Sequence, residues 1–304
     1  MALNSNDLAF FQTLVAGKSL ADAARRLGVS GAAVSLRLQQ IESRLGVRLL
    51  ERSGRRMYPT DEGRLLRERA ETLLSGFLAL EEDLRARRGA VVGTLRVVAP
   101  LGFGRAYVAP LASELRRRHP NLRIELTLSD RIGRLPEEAW DVAVHVGPLP
   151  DSNLALHRLA PNERWLCAAP GYLAKEGTPS TPEELSAHAC IALRENDEDV
   201  TAWRFANRKR VAAIRIEPIL GCNDGDVVRD WALRGDGIIL RSEWSVAQDV
   251  AAGRLKRLLP EFEAAAAPVV ALTSKRRHVS ARAAKFIANL KAILSPAPWR
   301  VRPR

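Results

Sequence analysis

The stretch from Ser19 to Leu38, SLADAARRLGVSGAAVSLRL, places the tightest limits on how this chain can fold. Ser19 and Ser30 can each cap a helix, because a serine hydroxyl accepts a hydrogen bond from a free backbone N–H of the first turn. Gly28 lies between them, and glycine readily takes the positive φ that ends a helix. The stretch therefore predicts two short helices joined by a tight turn.

Both predicted helices carry apolar residues at helical spacing on one side. These residues are Leu20, Ala23, Ala24 and Leu27 in the first helix, and Val34, Leu38, Ile41 and Leu45 in the second. The other side of the second helix is small and weakly charged, which suits entry into the major groove of DNA as in a helix-turn-helix. The alternative is a helical hairpin inside an ordinary core.

The flanking residues supply the rest of a small DNA-binding domain. Residues 7–16 predict a further helix, with Leu8, Phe11 and Leu14 pointing inward. After the helix pair, a short apolar run from residue 47 and a basic turn predict a wing. Its arginines are placed to meet phosphates or a narrow minor groove, the alternative being a solvated charged turn. They are Arg52, Arg55 and Arg56.

The positive charge of the chain is concentrated at its two ends. The whole chain of 304 residues has a formal net charge of +12, which favours an anionic partner. Residues 1–60 carry nine Lys/Arg against four Asp/Glu, and residues 264–304 carry nine basic residues and no acidic one. An anionic partner is therefore expected at an end of the chain. For the last segment, a solvated basic extension is the expected alternative.

The first 63 residues resemble the N-terminal domain of the LysR-type transcriptional regulators. The motifs that carry the resemblance are Phe10-Phe11, Ala23-Ala24, Leu27-Gly28-Val29-Ser30, Ala33-Val34-Ser35, Leu45-Gly46-Val47, Leu49-Leu50-Glu51-Arg52 and Thr60-Asp61-Glu62-Gly63. The resemblance implies DNA contacts from Ser30, Gly31, Ala32, Ala33, Ser35, Leu36, Arg37, Gln40, Arg52, Arg55 and Arg56.

Three of these positions depart from the family pattern. A polar residue and proline are usual where this chain has Gly31 and Ala32, and a polar or basic residue is common in place of Leu36. At Ala32 and Leu36, contact with a thymine methyl group is the expected substitute. Ser35 and Arg37 are expected to hydrogen-bond to base edges or to the backbone.

Residues 60–88 predict one long helix with an apolar seam. The seam residues recur at steps of four and three, as in a coiled coil, and they are Leu66, Ala70, Leu73, Phe77, Leu80 and Leu84. A helix with one such seam needs a partner to cover it. We expect a dimer interface, matching the linker helix of the resembled family, and a pseudo-palindromic operator, with a homotetramer as the other expected assembly. The alternative is that the seam packs on its own chain.

From residue 94 onward, alternating strands and helices predict an α/β fold. Scattered motifs here, among them Gly93-Thr94-Leu95-Arg96-Val97 and Asn223-Asp224-Gly225, are similar to the effector-binding half of the same family. The resemblance implies the two-lobed fold of periplasmic binding proteins. The expected organisation is a winged helix-turn-helix domain over 1–60, which is all-α apart from its wing, a linker helix over 61–90 and an effector domain over 91–304. Lobe one is expected over about 94–161 and 267–295, and lobe two over about 162–266.

A cleft between two lobes is the expected place for a small organic effector. A glycine-rich turn over 101–104 offers backbone N–H groups to an anion, which makes an anionic effector one option. His145 ends a predicted strand and is able to change charge near neutral pH, although a locally satisfied histidine is the plainer interpretation. The candidate effector residues are Leu101, Gly102, Phe103, Arg105, Asp130, His145, Trp203, Cys222, Asn223 and Asp224.

Other classes of protein find less support in the sequence. The chain has no GxSxG motif, P-loop or dinucleotide fingerprint, so no enzyme, cofactor or catalytic residue is predicted. Its three cysteines form no metal-ligand or disulfide pattern. Without a signal peptide or a long apolar run, a cytoplasmic protein is expected. Two alternatives remain open: a small-molecule binding or transport protein, and a DNA-binding architectural protein without a ligand.

Overall fold

The computed structural model describes residues 3–17, 19–53, 56–86, 91–129, 131, 135–136, 139–147, 154–194, 200–207, 210–275 and 278–301. The chain divides into two compact units. The N-terminal unit comprises Met1–Gly89 with Lys275–Ser280, and the C-terminal unit comprises Ala90–Ser274 with Ala281–Arg304.

Three helices open the N-terminal unit: α1 (Ser5–Ala16), α2 (Leu20–Leu27) and α3 (Gly31–Leu45). The predicted caps are confirmed, since the hydroxyl of Ser19 accepts from the Asp22 N–H and that of Ser30 from the Ala33 N–H, both at 3.2 Å. Gly28 ends α2 with a φ of 67°, a conformation that strains other residues. The predicted helix-turn-helix is therefore present.

A two-stranded wing and a long helix complete the N-terminal unit. Strands β1 (Leu50–Ser53) and β2 (Arg56–Pro59) pair antiparallel, and α4 (Asp61–Ala86) follows directly. The start of α4 lies so close to β1 that a side chain at Gly63 would collide with the Leu49 carbonyl. Glycine is therefore required at this position.

The core of the N-terminal unit forms where the apolar sides of the three helices meet. Its buried residues include Phe11, Leu14, Ala23, Val34, Leu38, Ile41 and Leu49. The prediction for Leu45 is wrong, because its side chain is exposed. Leu45 is the last residue of α3, and it is not part of the core cluster of this unit.

The C-terminal unit contains two sheets, which define two lobes. The elements of lobe one are β3 (Gly93–Ala99), α5 (Leu101–Phe103), a π-helical turn (Gly104–Val108), α6 (Ala109–Arg118), β4 (Leu122–Leu128), β5 (Val142–Val146) and β6 (Leu154–Ala160). Those of lobe two are β7 (Arg164–Ala168), α7 (Pro170–Glu176), a 3-10 helix (Pro182–Ala187), β8 (Cys190–Leu193), β9 (Ala202–Ala206), β10 (Val211–Arg215), β11 (Pro218–Cys222), α8 (Gly225–Arg234), β12 (Ile238–Ser242), α9 (Glu243–Ala251), β13 (Lys256–Leu258) and β14 (Glu263–Ala264). The chain then returns to lobe one with β15 (Val269–Ser274) and α10 (Ala281–Ile293).

Each lobe is built on a five-stranded mixed sheet. The strand order is β4-β3-β5-β15-β6 in lobe one and β11-β8-β12-β7-β13 in lobe two, and a three-stranded sheet β10-β9-β14 accompanies lobe two. Neighbouring residues on the lobe-two strands enter different cores because strand side chains alternate between faces. Thus Leu166 packs with Tyr172, whereas Cys167 packs with Val228 and Val246.

The two places where the chain crosses between the lobes are tied together by Asn162. Its side-chain amide donates to the Ala267 carbonyl at 2.8 Å, and its own carbonyl accepts from the Ala267 N–H at 3.3 Å. The side-chain oxygen of Asn162 also accepts from the Trp244 N–H at 3.1 Å. A buried asparagine with its polar groups bonded in this way fixes the spacing of the two crossings.

The last described turn of the chain forms a strap between the lobes. After α10, which packs against β6 and α6 of lobe one, a 3-10 turn (Pro298–Arg300, the C-terminal strap) packs on α9 of lobe two. Trp299 is 9% exposed, and Arg300 pairs with buried Glu243 at 2.7 Å and with Glu163 at 2.9 Å. The expected solvated extension is therefore wrong for residues 298–300, since these side chains hold the lobes together.

Candidate functional site

The exposed side of α3 is the candidate DNA-binding surface. The predicted contact residues that are exposed there are Gly31, Ala32, Ala33, Leu36 and Gln40, while Ser35 is half-buried. The opposite side of the helix is anchored by Val34, Leu38 and Ile41. The backbone of the first turn is held by Ser30, whose hydroxyl is used as the cap. The surface is therefore supported by the core beneath it, and its first turn carries only small side chains.

Arg37 has a role that the sequence did not indicate. Its guanidinium donates to the Asn6 carbonyl at 3.0 Å, lies 3.6 Å from Asp7 and stacks 4.6 Å from the centre of the Phe10 ring. These contacts direct the side chain toward α1. Arg37 thus joins α1 to α3 in this structure, and it is not brought together with the exposed predicted residues.

The wing places its described basic residues on neighbouring strands. Arg52 lies on β1, opposite Met57, and Arg56 lies on β2, opposite Ser53. Arg55 lies outside the described residues. The hairpin that the basic turn predicted is present, as judged from the paired strands on either side of it.

The apolar seam of α4 has two different environments. Leu66 packs on the N-terminal core and Ala70 is fully buried, so this part of the seam is covered by its own chain. The later seam residues Leu73, Phe77, Leu80 and Leu84 are each 54–57% exposed. Four large apolar side chains in a row on one helix face indicate a surface that binds a partner.

Arg105 of lobe one lies against two carboxylates of lobe two. It comes from the π-helical turn after α5, and its guanidinium nitrogen lies 3.0 Å from Asp224 and 2.6 Å from Asp226. The hydrogen bond that Arg105 donates to Asp226 is the main reason why the pKa of Arg105 lies above its ordinary value. These three residues form a polar bridge across the cleft, which we call the cleft bridge.

Asp224 has a second structural task at the start of α8. Its side chain accepts from the Asp226 N–H at 2.8 Å and caps the helix. Burial opposes the ionisation of Asp224, but the backbone N–H of Asp226 and the Arg105 guanidinium outweigh it and hold the pKa below its usual range. Asp226 has a second partner too, since Arg229 lies 3.8 Å from it.

An aromatic cluster packs beside the cleft bridge. Phe103 and Tyr107 of lobe one contact Trp244 of lobe two and Trp299 of the C-terminal strap, with ring centres 5.3–6.5 Å apart between these pairs. Such edge-to-face contacts favour a fixed arrangement of the rings. The described side chains therefore fill part of the space between the lobes.

The glycine-rich stretch over 101–104 was predicted to be a turn, and this prediction is wrong because the stretch is helical. Leu101 starts a continuous helical segment because α5, the π-helical turn and α6 follow one another without a break. A side chain at Gly102 would lie 3.1 Å from Trp244 and 3.5 Å from Asp226. Lobe two thus covers the position where the family usually has a hydroxyl.

The other predicted effector residues fall into four groups. Cys222 and Asn223 lie next to Asp224, whose N–H lies 3.4 Å from the Cys222 sulfur. Phe103 and His145 are buried, and Leu101 is half-buried. The prediction for Trp203 is wrong, because its ring lies in the hydrophobic core of lobe two and is 5% exposed. Asp130 lies outside the described residues.

Four residues beside the cleft were not predicted from the sequence: Asp226, Tyr107, Trp244 and Trp299. Asp226 and Trp244 each lie just after a strand, which is the same signal that selected the other cleft residues. Trp299 gave no such signal, since it does not follow a strand but lies in the last described turn.

Two family models match the chain. Residues 5–64 match "Bacterial regulatory helix-turn-helix protein, lysR family" and residues 88–295 match "LysR substrate binding domain". In the part of the chain that the structure describes, no helix has both the length and the apolar character to cross a membrane.

Similar proteins cover most of the chain. The regulator DmlR of Escherichia coli is 36% identical over 84% of this chain and 84% of its own length. The solved structure of CrgA, a LysR-type transcriptional regulator from Neisseria meningitidis, is 31% identical, with a TM-score of 0.61 over 96% of this chain and 99% of that chain. Full-length LysG from Corynebacterium glutamicum, solved with bound effector Arg, shares the fold at 16% identity and a TM-score of 0.62.

Proposed function

Because the chain belongs to the LysR family of transcriptional regulators, we propose that it binds its operator with the exposed side of α3 in the major groove. The observation that carries this proposal is the exposure of Gly31, Ala32 and Leu36 on a helix whose opposite side is anchored in the core. The wing follows on the same unit, with Arg52, Arg55 and Arg56 as phosphate contacts. The relatives are transcriptional regulators rather than enzymes or transport proteins.

The protein acts as a dimer held by the exposed part of the α4 seam. This step is supported by four exposed apolar side chains, because contact of so much apolar surface with water is unfavourable unless a partner covers it. They are Leu73, Phe77, Leu80 and Leu84. Two copies of α3 then meet two half-sites of one operator.

A small effector with an anionic group controls the regulator from the cleft between the lobes. Arg105 supplies the positive charge, and the effector competes with Asp224 and Asp226 for it. Displacing the two carboxylates from Arg105 costs little free energy, because Asp224 still caps α8 and Asp226 still has Arg229 as a partner. Cys222 and Asn223 adjoin the same site.

This competition explains how an effector would change the protein. The cleft bridge joins the lobes, so a ligand that takes Arg105 binds an arrangement without the bridge more tightly than one with it. Such a difference in affinity is what shifts a population between two states. Operator DNA then alters effector affinity in return.

A titration of the full-length protein on the DNA that flanks its own gene tests the docking. We expect a sequence-selective shift at sub-micromolar protein that weakens steeply with salt, since phosphate contacts release counterions. Arg55→Ala should weaken binding to all sequences, whereas Ser35→Ala should relax the preference at one or two base pairs. Unchanged binding in both variants would contradict the docking.

A further inference from the structure

The second turn of α3 presents an apolar side chain where base edges would lie. Leu36 is 57% exposed and points away from the buried Val34, Leu38 and Ile41. Ala32, four residues earlier on the same side, is exposed as well. A large exposed leucine on a DNA-facing surface costs free energy in water unless a partner covers it.

The nearest cationic group on α3 is committed elsewhere. Arg37 donates to the Asn6 carbonyl, pairs with Asp7 and stacks on Phe10. To reach a guanine edge it would have to give up all three contacts. Arg37 can therefore pair with guanine through two hydrogen bonds only if the contacts that join α1 to α3 are broken.

We infer that Leu36 reads thymine in each half-site through van der Waals contact with the C5-methyl group. This inference rests on the proposed docking of α3. In the major groove the thymine methyl is the apolar group of the base edges, whereas guanine and cytosine present polar groups there. A leucine against guanine or cytosine would bury those polar groups without a hydrogen bond, so Leu36 both favours thymine and disfavours a G·C pair.

The surrounding turn fits this way of reading. The small residues Gly31, Ala32 and Ala33 let the helix approach the base pairs closely, and nothing lies within 4 Å of the position of a Cβ on Gly31. The hydroxyl of Ser30 is used as the cap. Ser35 remains as the neighbouring polar side chain, and it can bond to a base edge or a phosphate.

Replacement of thymine by uracil tests the inference, because it removes only the methyl group. The operator is first obtained by selection from random DNA with the full-length protein. Each thymine of the selected half-site is then replaced singly by deoxyuridine, and Kd is measured by fluorescence anisotropy. We expect about a fourfold weaker Kd at one thymine, the effect of one methyl group removed from contact.

The variant Leu36→Ala removes the protein side of the proposed contact, as uracil removes the DNA side. It should bind the selected operator more weakly and should no longer distinguish thymine from uracil at that position. Leu65→Ala is the matched control, since it truncates a leucine of similar exposure on α4 and should leave the thymine preference unchanged. Leu36→Arg should move the preference at the same base pair toward guanine.

Two results would overturn the inference. One is an operator in which no thymine-to-uracil change alters Kd. The other is a Leu36→Ala protein that keeps the full thymine preference while thermal unfolding shows that it is folded. Failure of the docking itself looks different, because the wild-type protein would then bind selected and scrambled DNA equally well.

Discussion

Asp7 shows how one buried carboxylate organises the N-terminal unit. It lies on α1, completes a capping box with Asn4, and pairs with Arg44 of α3 at 2.7 Å. Burial opposes its ionisation, but the hydrogen bonds from Arg44 and from the Asn4 N–H, with the charges of Arg44 and Arg37, hold the pKa of Asp7 below its ordinary value. The ionised form is therefore part of the folded structure.

Asp7→Asn should lower the free energy of unfolding of this unit by about 1–3 kcal/mol at pH 7, because Arg44 loses its charged partner. Since the folded pKa is lower than the unfolded one, this stabilisation is complete above the unfolded pKa and is lost as pH falls through the folded pKa. Hydrogen exchange of α1 and α3 measures the change locally. The exposed Asp61 is the control, and Asp61→Asn should have almost no effect.

Single residues were predictable where a local rule decides them. Ser19, Gly28 and Ser30 act on backbone groups within a few residues, so their roles could be read from the sequence. Arg37 could not be placed in the same way. Helical spacing gives the side of the helix on which a Cα atom lies, but not the direction in which a long side chain such as arginine extends.

The long helix α4 is covered by its own chain over its first turns and is exposed over its later turns. Its first turns pack on the N-terminal core through Leu66 and bury Ala70, and its later turns expose Leu73 and Phe77. The heptad spacing predicted the seam correctly. It could not predict this division, because the position of α1 beside the first turns depends on the tertiary fold.

Phe77→Asp should weaken the proposed dimer about a thousandfold, since two apolar side chains per dimer, each contributing about 2 kcal/mol, lose their burial. Light scattering after size-exclusion chromatography at micromolar protein should then report a monomer. Leu65→Asp makes the same change at an exposed leucine off the seam and should remain dimeric. A dimeric Phe77→Asp protein would place the interface on another surface.

The whole C-terminal unit depends on contacts between residues far apart in sequence. Arg300 meets Glu243 57 residues away and Glu163 137 residues away. Charge counting alone predicted an anionic partner at an end of the chain or a solvated basic extension, because no local pattern identifies the actual partners of Arg300. The order of the lobes was accessible through family resemblance, whereas the aromatic cluster between them required coordinates.

The cleft bridge makes the effector proposal testable on the intact protein. Small mono- and dicarboxylates should raise the melting temperature of the wild-type protein, because binding to the folded state stabilises it. Arg105→Gln should abolish this effect, while Arg96→Gln, at an exposed lobe-one arginine, should keep it. Stabilisation by amines and not by carboxylates would show that the anionic effector is wrong.

The C-terminal strap has a practical consequence for anyone who handles this regulator. The last described turn is fastened to lobe two, although the helix before it belongs to lobe one. A premature stop codon before Trp299 would remove both Trp299 and Arg300 and would therefore loosen the hold of the two lobes on each other. Biosensor engineering can use substitutions at Trp299 and Arg300 to tune the response threshold.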